Sequence, residues 1–202
     1  METKLLTKKD FNSDNEFIGD KSILNYNGNL EIDEKLGCVK FKYLKIRGYI
    51  KAKSGSGISA GWGISAGWGI SAGSGISAGW GISAGDGISA GSGISAGSGI
   101  SAGDGISAGL GISAGWGISA GLGIKCILTL KVKLRIFSGI CLWREPTKKE
   151  TIIECGKFEG GKIIHGELKE IGLPDEKPVI PTLKGKIVKV EIGGVKYEAT
   201  IN

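Results

Sequence analysis

Histidine occurs once in this chain, as His165 within Ile-Ile-His-Gly-Glu, and no other side chain has an ordinary pKa near neutrality. A base of that kind needs a positioned nucleophile or acid beside it. The alternating context of His165 supplies a strand rather than such a partner, so it reads as a surface or hairpin residue. Asp86 and Asp104 stand eighteen residues apart and could share a cation if the fold brought them together. With no further oxygen-rich ligands nearby, they read as solvated residues. Cys38, Cys126, Cys141 and Cys155 form neither a dense disulfide framework nor the close pairs of a zinc site, which points to reduced thiols. Repeated Gly-x-Gly resembles a phosphate loop, but no copy lies between a strand and a helix with a following Lys-Ser/Thr. Neither an enzyme nor a cofactor is expected.

The tryptophans carry more information. Trp62, Trp68, Trp80 and Trp116 all occupy the central position of a Gly-x-Gly triplet, where Ser and Asp stand in other copies. A position that accepts Ser and Asp faces water, so these indoles are candidates for an exposed binding stripe. The alternative is that they fold over the glycines and pack against the ends of the structure. Lys131, Lys133 and Arg135 alternate with apolar residues and are candidates for a basic face. That face either contacts nucleic acid or simply keeps an edge solvated.

These residues are positioned by a repeat. Ile-Ser-Ala recurs with its isoleucine at 58, 64, 70, 76, 82, 88, 94, 100, 106, 112 and 118, each copy separated by Gly-x-Gly. A period of six contains whole two-residue pleats and does not match a 3.6-residue helix. Each Ile-Ser-Ala is therefore expected as a short strand with Ile and Ala inward and Ser outward. Each Gly-x-Gly is expected as a corner in which glycine tolerates positive φ. Stacked neighbours would bury the isoleucine that one copy alone cannot. Reading the x residues in threes gives three columns. Ser56, Ser74, Ser92 and Leu110 form one; Trp62, Trp80, Ser98 and Trp116 the second; Trp68, Asp86, Asp104 and Leu122 the third. The expected fold is all-β, a three-sided β-solenoid of about 18 residues per coil, with the hand of the coil left open.

Composition divides the chain. Of 37 glycines, 24 lie between 54 and 124, whose only charged residues are Asp86 and Asp104. The flanks hold all 26 Lys and Arg, and the whole chain carries a net charge of +6. Collagen is excluded because the glycines are two and four apart rather than every third. No apolar run approaches the ~18 residues of a membrane helix, and the start lacks a signal-peptide core, so a cytoplasmic chain without membrane contact is expected. Residues 1–28 read as an N-terminal cap, 29–136 as the solenoid and 137–202 as a C-terminal β unit forming a small sheet or barrel. Ile127 to Ile136 reads as one long strand. Lys186 to Ile201 reads as a hairpin around Gly193-Gly194, and Leu173 to Pro181 as a loop.

The Gly-x-Gly-Ile-Ser-Ala repeat resembles hexapeptide β-helices such as the left-handed acyltransferases, which would imply an enzyme using His165. The stretch Gly48-Tyr-Ile-Lys-Ala-Lys-Ser-Gly-Ser-Gly-Ile-Ser-Ala60 is similar in texture to bactofilin-type polymer-forming proteins, and also to Gly-Ile-Ser-Ala repeat proteins of phages and mobile elements. The first resemblance implies end-to-end filaments. The second implies an inhibitor of a host enzyme or nucleoprotein, of the anti-CRISPR kind, acting in the host cytoplasm. The reading carried forward is a non-enzymatic interaction protein that docks on a protein or nucleoprotein partner. Self-association and direct nucleic-acid contact stay open as alternatives.

Overall fold

The computed structural model describes residues 1–174, 187–192 and 195–200, and its regular elements are strands and short 3-10 turns. Three parallel sheets of nine, seven and eight strands form the sides of a β-solenoid. The chain visits them in rotation. Ser56–Ala60 lies in the seven-stranded sheet, Ile64–Ala66 in the eight-stranded and Ile70–Ala72 in the nine-stranded, and Ile76–Ala78 returns to the first. Register follows the 18-residue period, with Ile76 beside Ile58, Ser77 beside Ser59 and Ala78 beside Ala60. Each isoleucine and alanine of the repeat is buried, while the intervening serine faces outward. A stack of isoleucines in identical positions makes the core continuous along the rod.

The repeat glycines serve a different purpose from the one expected of them. From Gly57 to Gly123, none has a positive φ. The glycine after each alanine lies directly over the same residue of the preceding coil, and a Cβ on Gly79, Gly97 or Gly115 would collide with the carbonyl oxygen of Gly61, Gly79 or Gly97. The glycine before each isoleucine has more room. A Cβ on Gly81 or Gly99 would sit 3.3 Å from a carbonyl oxygen of the next coil. Close approach of stacked backbones, not turn conformation, fixes the first glycine of each corner.

Both flanks join the solenoid. Thr3–Leu6 starts the nine-stranded sheet, Glu16 bridges to Lys40 beside the seven-stranded sheet, and Asn25–Tyr26 starts the eight-stranded sheet. The N-terminal cap is thus an irregular first coil, closed by edge-to-face contacts of Phe11 with Phe17 and Phe41, both at 5.8 Å between ring centroids. At the other end the sheets continue past residue 136, because Ile152–Cys155, Lys157–Glu159, Lys162–His165 and Glu167–Glu170 pair in parallel with the strands before them.

Ile127 to Ile136, expected as one strand, is two: Thr129–Val132 in the seven-stranded sheet and Arg135–Ser138 in the eight-stranded sheet. A corner at Lys133-Leu134 separates them, held where the Leu134 N–H donates to the Trp116 carbonyl at 2.8 Å. An alternating sequence is compatible with a straight strand or a bent one. Hydrogen bonding to the coil beneath decides. Ile187–Ile192 and Val195–Thr200 pair antiparallel as the expected hairpin, whose Gly193-Gly194 turn lies outside the described residues, as does the expected loop beyond Pro174.

Candidate functional site

The corner between the seven- and eight-stranded sheets collects most of the aromatic surface. Its column runs Lys42, Trp62, Trp80, Ser98, Trp116 and Leu134, joined by backbone bonds from each N–H to the carbonyl one coil earlier: 2.9 Å for Trp62 to Lys42 and 3.0 Å for Trp80 to Trp62. The stacked corners carry each indole on the outside of the rod. Trp62 is 48% exposed, and Trp80 and Trp116 are each 64% exposed. Tyr43 stacks on Trp62 at 6.1 Å and Trp62 on Trp80 at 5.8 Å, with interplanar angles of 20° and 12°. The Lys42 ammonium lies 4.8 Å from the Trp62 ring centroid. Trp68, also exposed, stands on the next corner, between the eight- and nine-stranded sheets.

The basic residues do not form the single face that the sequence suggests. Lys131 is paired beside Ser113 on the seven-stranded sheet, Lys133 sits in the corner, and Arg135 opens a strand of the eight-stranded sheet. The bend at Lys133-Leu134 distributes them, and it carries Lys133 and Arg135 to the foot of the tryptophan column. All three are exposed. Two shallow grooves run along the eight-stranded sheet beside this column. The upper, of about 700 Å³, is walled by Tyr43, Trp62 and Trp80. The lower, of about 650 Å³, is lined by Lys133, Arg135, Phe137 and Lys162, and both include Gly117 and Ser119.

Sequence reasoning passed over Tyr43, Lys42, Lys45 and Lys162, which lie in irregular coils. Lys42 and Lys45 stand twenty residues before Trp62 and Ser65, and Lys162 twenty-seven after Arg135, so the 18-residue period does not reach them and only the pairing of the strands does. Trp143 was also missed. It lies in the loop after Ser138, and its ring comes within 3.5 Å of where a Cβ on Gly103 would stand. In the same loop Arg144 binds Glu150 at 2.6 and 2.8 Å, and Glu150 also accepts from the Thr147 N–H. The Arg144 guanidinium first, and the Thr147 amide next, hold the Glu150 carboxyl down at about 2.

His165 is exposed, and its Nδ1–H donates to the Ser138 carbonyl at 2.6 Å, a contact between neighbouring coils. Asp86 and Asp104 fall one coil apart, with the Asp104 N–H donating to the Asp86 carbonyl at 3.3 Å. Among the described residues no three His, Cys, Asp or Glu side chains gather where a metal could sit. Cys126 and Cys155 take the inward alanine position in adjacent coils and are buried. Burial first, and the neighbouring Cys155 second, push the Cys126 thiol up to about 11. Among the described residues, no helix is long and apolar enough to cross a membrane. Comparison with protein-family models, with curated proteins and with solved structures returns no match to this chain.

Proposed function

We propose that this chain is a non-enzymatic β-solenoid binding protein that docks on a macromolecular partner through the corner bearing Trp62, Trp80 and Trp116. One observation carries the reading: three indoles, each about half exposed or more, are held in a single line on one corner of a rod whose repeat strands present serine outward. Each aromatic side chain buries ~150–250 Å² when fully covered. Covering the exposed half of one ring therefore contributes roughly 2–3 kcal/mol at ~25 cal/mol per Å². Ring stacking from Tyr43 through Trp62 to Trp80 orders two of the three indoles before binding, which lowers the ordering cost that offsets that gain. The chain then acts as an inhibitor or adaptor that occupies a surface of an enzyme or nucleoprotein.

The test is affinity capture from a cell extract, with the full chain and with a Trp62→Ser/Trp80→Ser/Trp116→Ser variant, alongside light scattering of both. Serine already occupies this position at Ser98, so the variant is expected to fold. A defined small assembly that retains one partner, lost with the triple variant, is the expected result. Equal capture by the variant overturns the reading, and so does a growing assembly that retains mainly itself, which would point to a polymer.

A further inference from the structure

We propose that the partner chemistry matched by this corner is single-stranded RNA, with one base inserted between Trp80 and Trp116 in the place left open by Ser98. The inference rests on the docking reading above and gives it a ligand.

The column is a stack with one rung missing. Tyr43, Trp62 and Trp80 follow one another ring on ring, and the next coil has Ser98 instead of an indole. The backbone runs through this position without a bulge. The Ser98 N–H donates to the Trp80 carbonyl at 2.8 Å, and the Trp116 N–H to the Ser98 carbonyl at 3.0 Å. One coil of the column thus carries no ring, with Trp80 one coil to one side and Trp116 one coil to the other. The two indoles that border it are each 64% exposed, against 48% for Trp62 inside the stack. Among the described residues Trp116 pairs with no aromatic ring. Aromatic platforms of this kind hold bases irrespective of sequence, because every base has a π-face.

Charge selects a polyanion over an apolar partner. Lys45 stands at the upper end of the grooves and Lys133, Arg135 and Lys162 at the lower, and among the described residues no carboxylate lines either groove. None of these four cations forms an ion pair among the described residues. The two acidic residues of the repeat, Asp86 and Asp104, stand on the next corner. From the strand of Lys45 to that of Lys162 there are six strand steps, or ~29 Å at ~4.8 Å each. That length suits a short single strand, with phosphates at both cationic ends and bases along the aromatic column between them.

The groove floor favours ribose. Ser65, Ser83, Ser101 and Ser119 place one hydroxyl per coil along it, and none is engaged by another side chain among the described residues. A row of unengaged hydroxyls can donate to and accept from 2′-hydroxyls, which DNA lacks.

The experiment is fluorescence anisotropy of labelled 12-nucleotide single-stranded RNA, single-stranded DNA of the same sequence and double-stranded RNA against the full chain. The expected result is saturable binding of single-stranded RNA, at least tenfold weaker for the other two. The logarithm of affinity should fall with the logarithm of salt with a slope of about −3 for four cation contacts. Ser98→Trp, which completes the stack, should keep the circular dichroism and weaken RNA binding at least tenfold, whereas Ser98→Ala should leave it unchanged. No RNA binding, equal binding of DNA, or a Ser98→Trp variant that binds as well as the parent overturns the proposal. If RNA fails to bind while a protein is captured in a tryptophan-dependent way, this inference falls and the docking reading stands. If RNA binds equally to the triple serine variant, this inference falls, and if partner capture is also unchanged by that variant, both fall.

Discussion

Gly97 and Gly99 flank the same corner residue, are identical in every copy of the repeat and have no positive φ, yet the structure assigns them unequal roles. An alanine methyl at 97 would fall on the Gly79 carbonyl oxygen directly beneath, where backbone has no flexible end that could yield. Relief requires the corner to lift, which strains the Gly97 N–H bond to the Ala78 carbonyl, 3.1 Å, and the Ser98 bond to Trp80, 2.8 Å. Overpacking costs about 1–3 kcal/mol and a lost hydrogen bond about 1 more, so Gly97→Ala should destabilise by ~2–4 kcal/mol. At 99 the methyl would stand 3.3 Å from the Gly117 oxygen, a tight contact that a small shift accommodates. The lower entropy of the unfolded chain offsets that contact by ~0.4–1 kcal/mol, which leaves Gly99→Ala within about 1 kcal/mol of the parent. Urea unfolding followed by circular dichroism decides between them. With m near 1–3 kcal/mol per M, Gly97→Ala should lower the midpoint by about 0.7–4 M and Gly99→Ala by much less. Equal losses at both positions would refute the stacking argument and restore turn conformation as the reason for the glycines.

The core makes a similar contrast: Ile82→Ala should cost ~2–5 kcal/mol in the same assay, and outward Ser83→Ala less than ~0.5 kcal/mol. Maleimide labelling of the folded chain near neutral pH should modify exposed Cys38 and half-buried Cys141, but reach buried Cys126 and Cys155 only after unfolding. Four labels at one rate would contradict an interior that pushes the Cys126 thiol up to about 11. The Glu150 carboxyl, held at about 2 by Arg144 and Thr147, should titrate below pH 3 in an NMR experiment. Its folded pKa is depressed, so its contribution is complete above the ordinary carboxylate value of ~4.3 and disappears as pH falls through about 2. A midpoint near 4.3 would mean that the Arg144 pair does not form in solution.

The repeat was legible because its pattern is local. Period six gave strand and corner, and the sorting of the corner residues into three columns gave the 18-residue coil that makes Ile76 and Ile58 neighbours. The flanks resisted for the opposite reason. Leu134 is a corner only because its N–H meets Trp116, and Ile153 is a solenoid residue only because Ile124 lies beside it. Neither partner is near in sequence, and alternation alone describes a free strand equally well. The glycines misled differently. Their presence was plain, but a steric reason that lies one coil away cannot be read from the residues on either side. At the candidate site the tryptophans were visible and the gap at Ser98 was not, since an absent ring acquires meaning only once its neighbours are known to stack.

Six residues carry the chain across one sheet, and eighteen return it to the sheet on which it began. Copy number in the repeat therefore acts as an angular setting. One hexapeptide added or lost would preserve every buried isoleucine and every glycine contact inside the rod, yet turn all that follows by a third of a revolution. Lys133 and Arg135 would then leave the line of Lys45 and Trp62. Three hexapeptides together would only lengthen the rod by ~4.8 Å. Among natural or engineered length variants of this chain, those differing by multiples of eighteen residues should keep both ends in phase, and the rest should be stable rods with their two ends facing different ways.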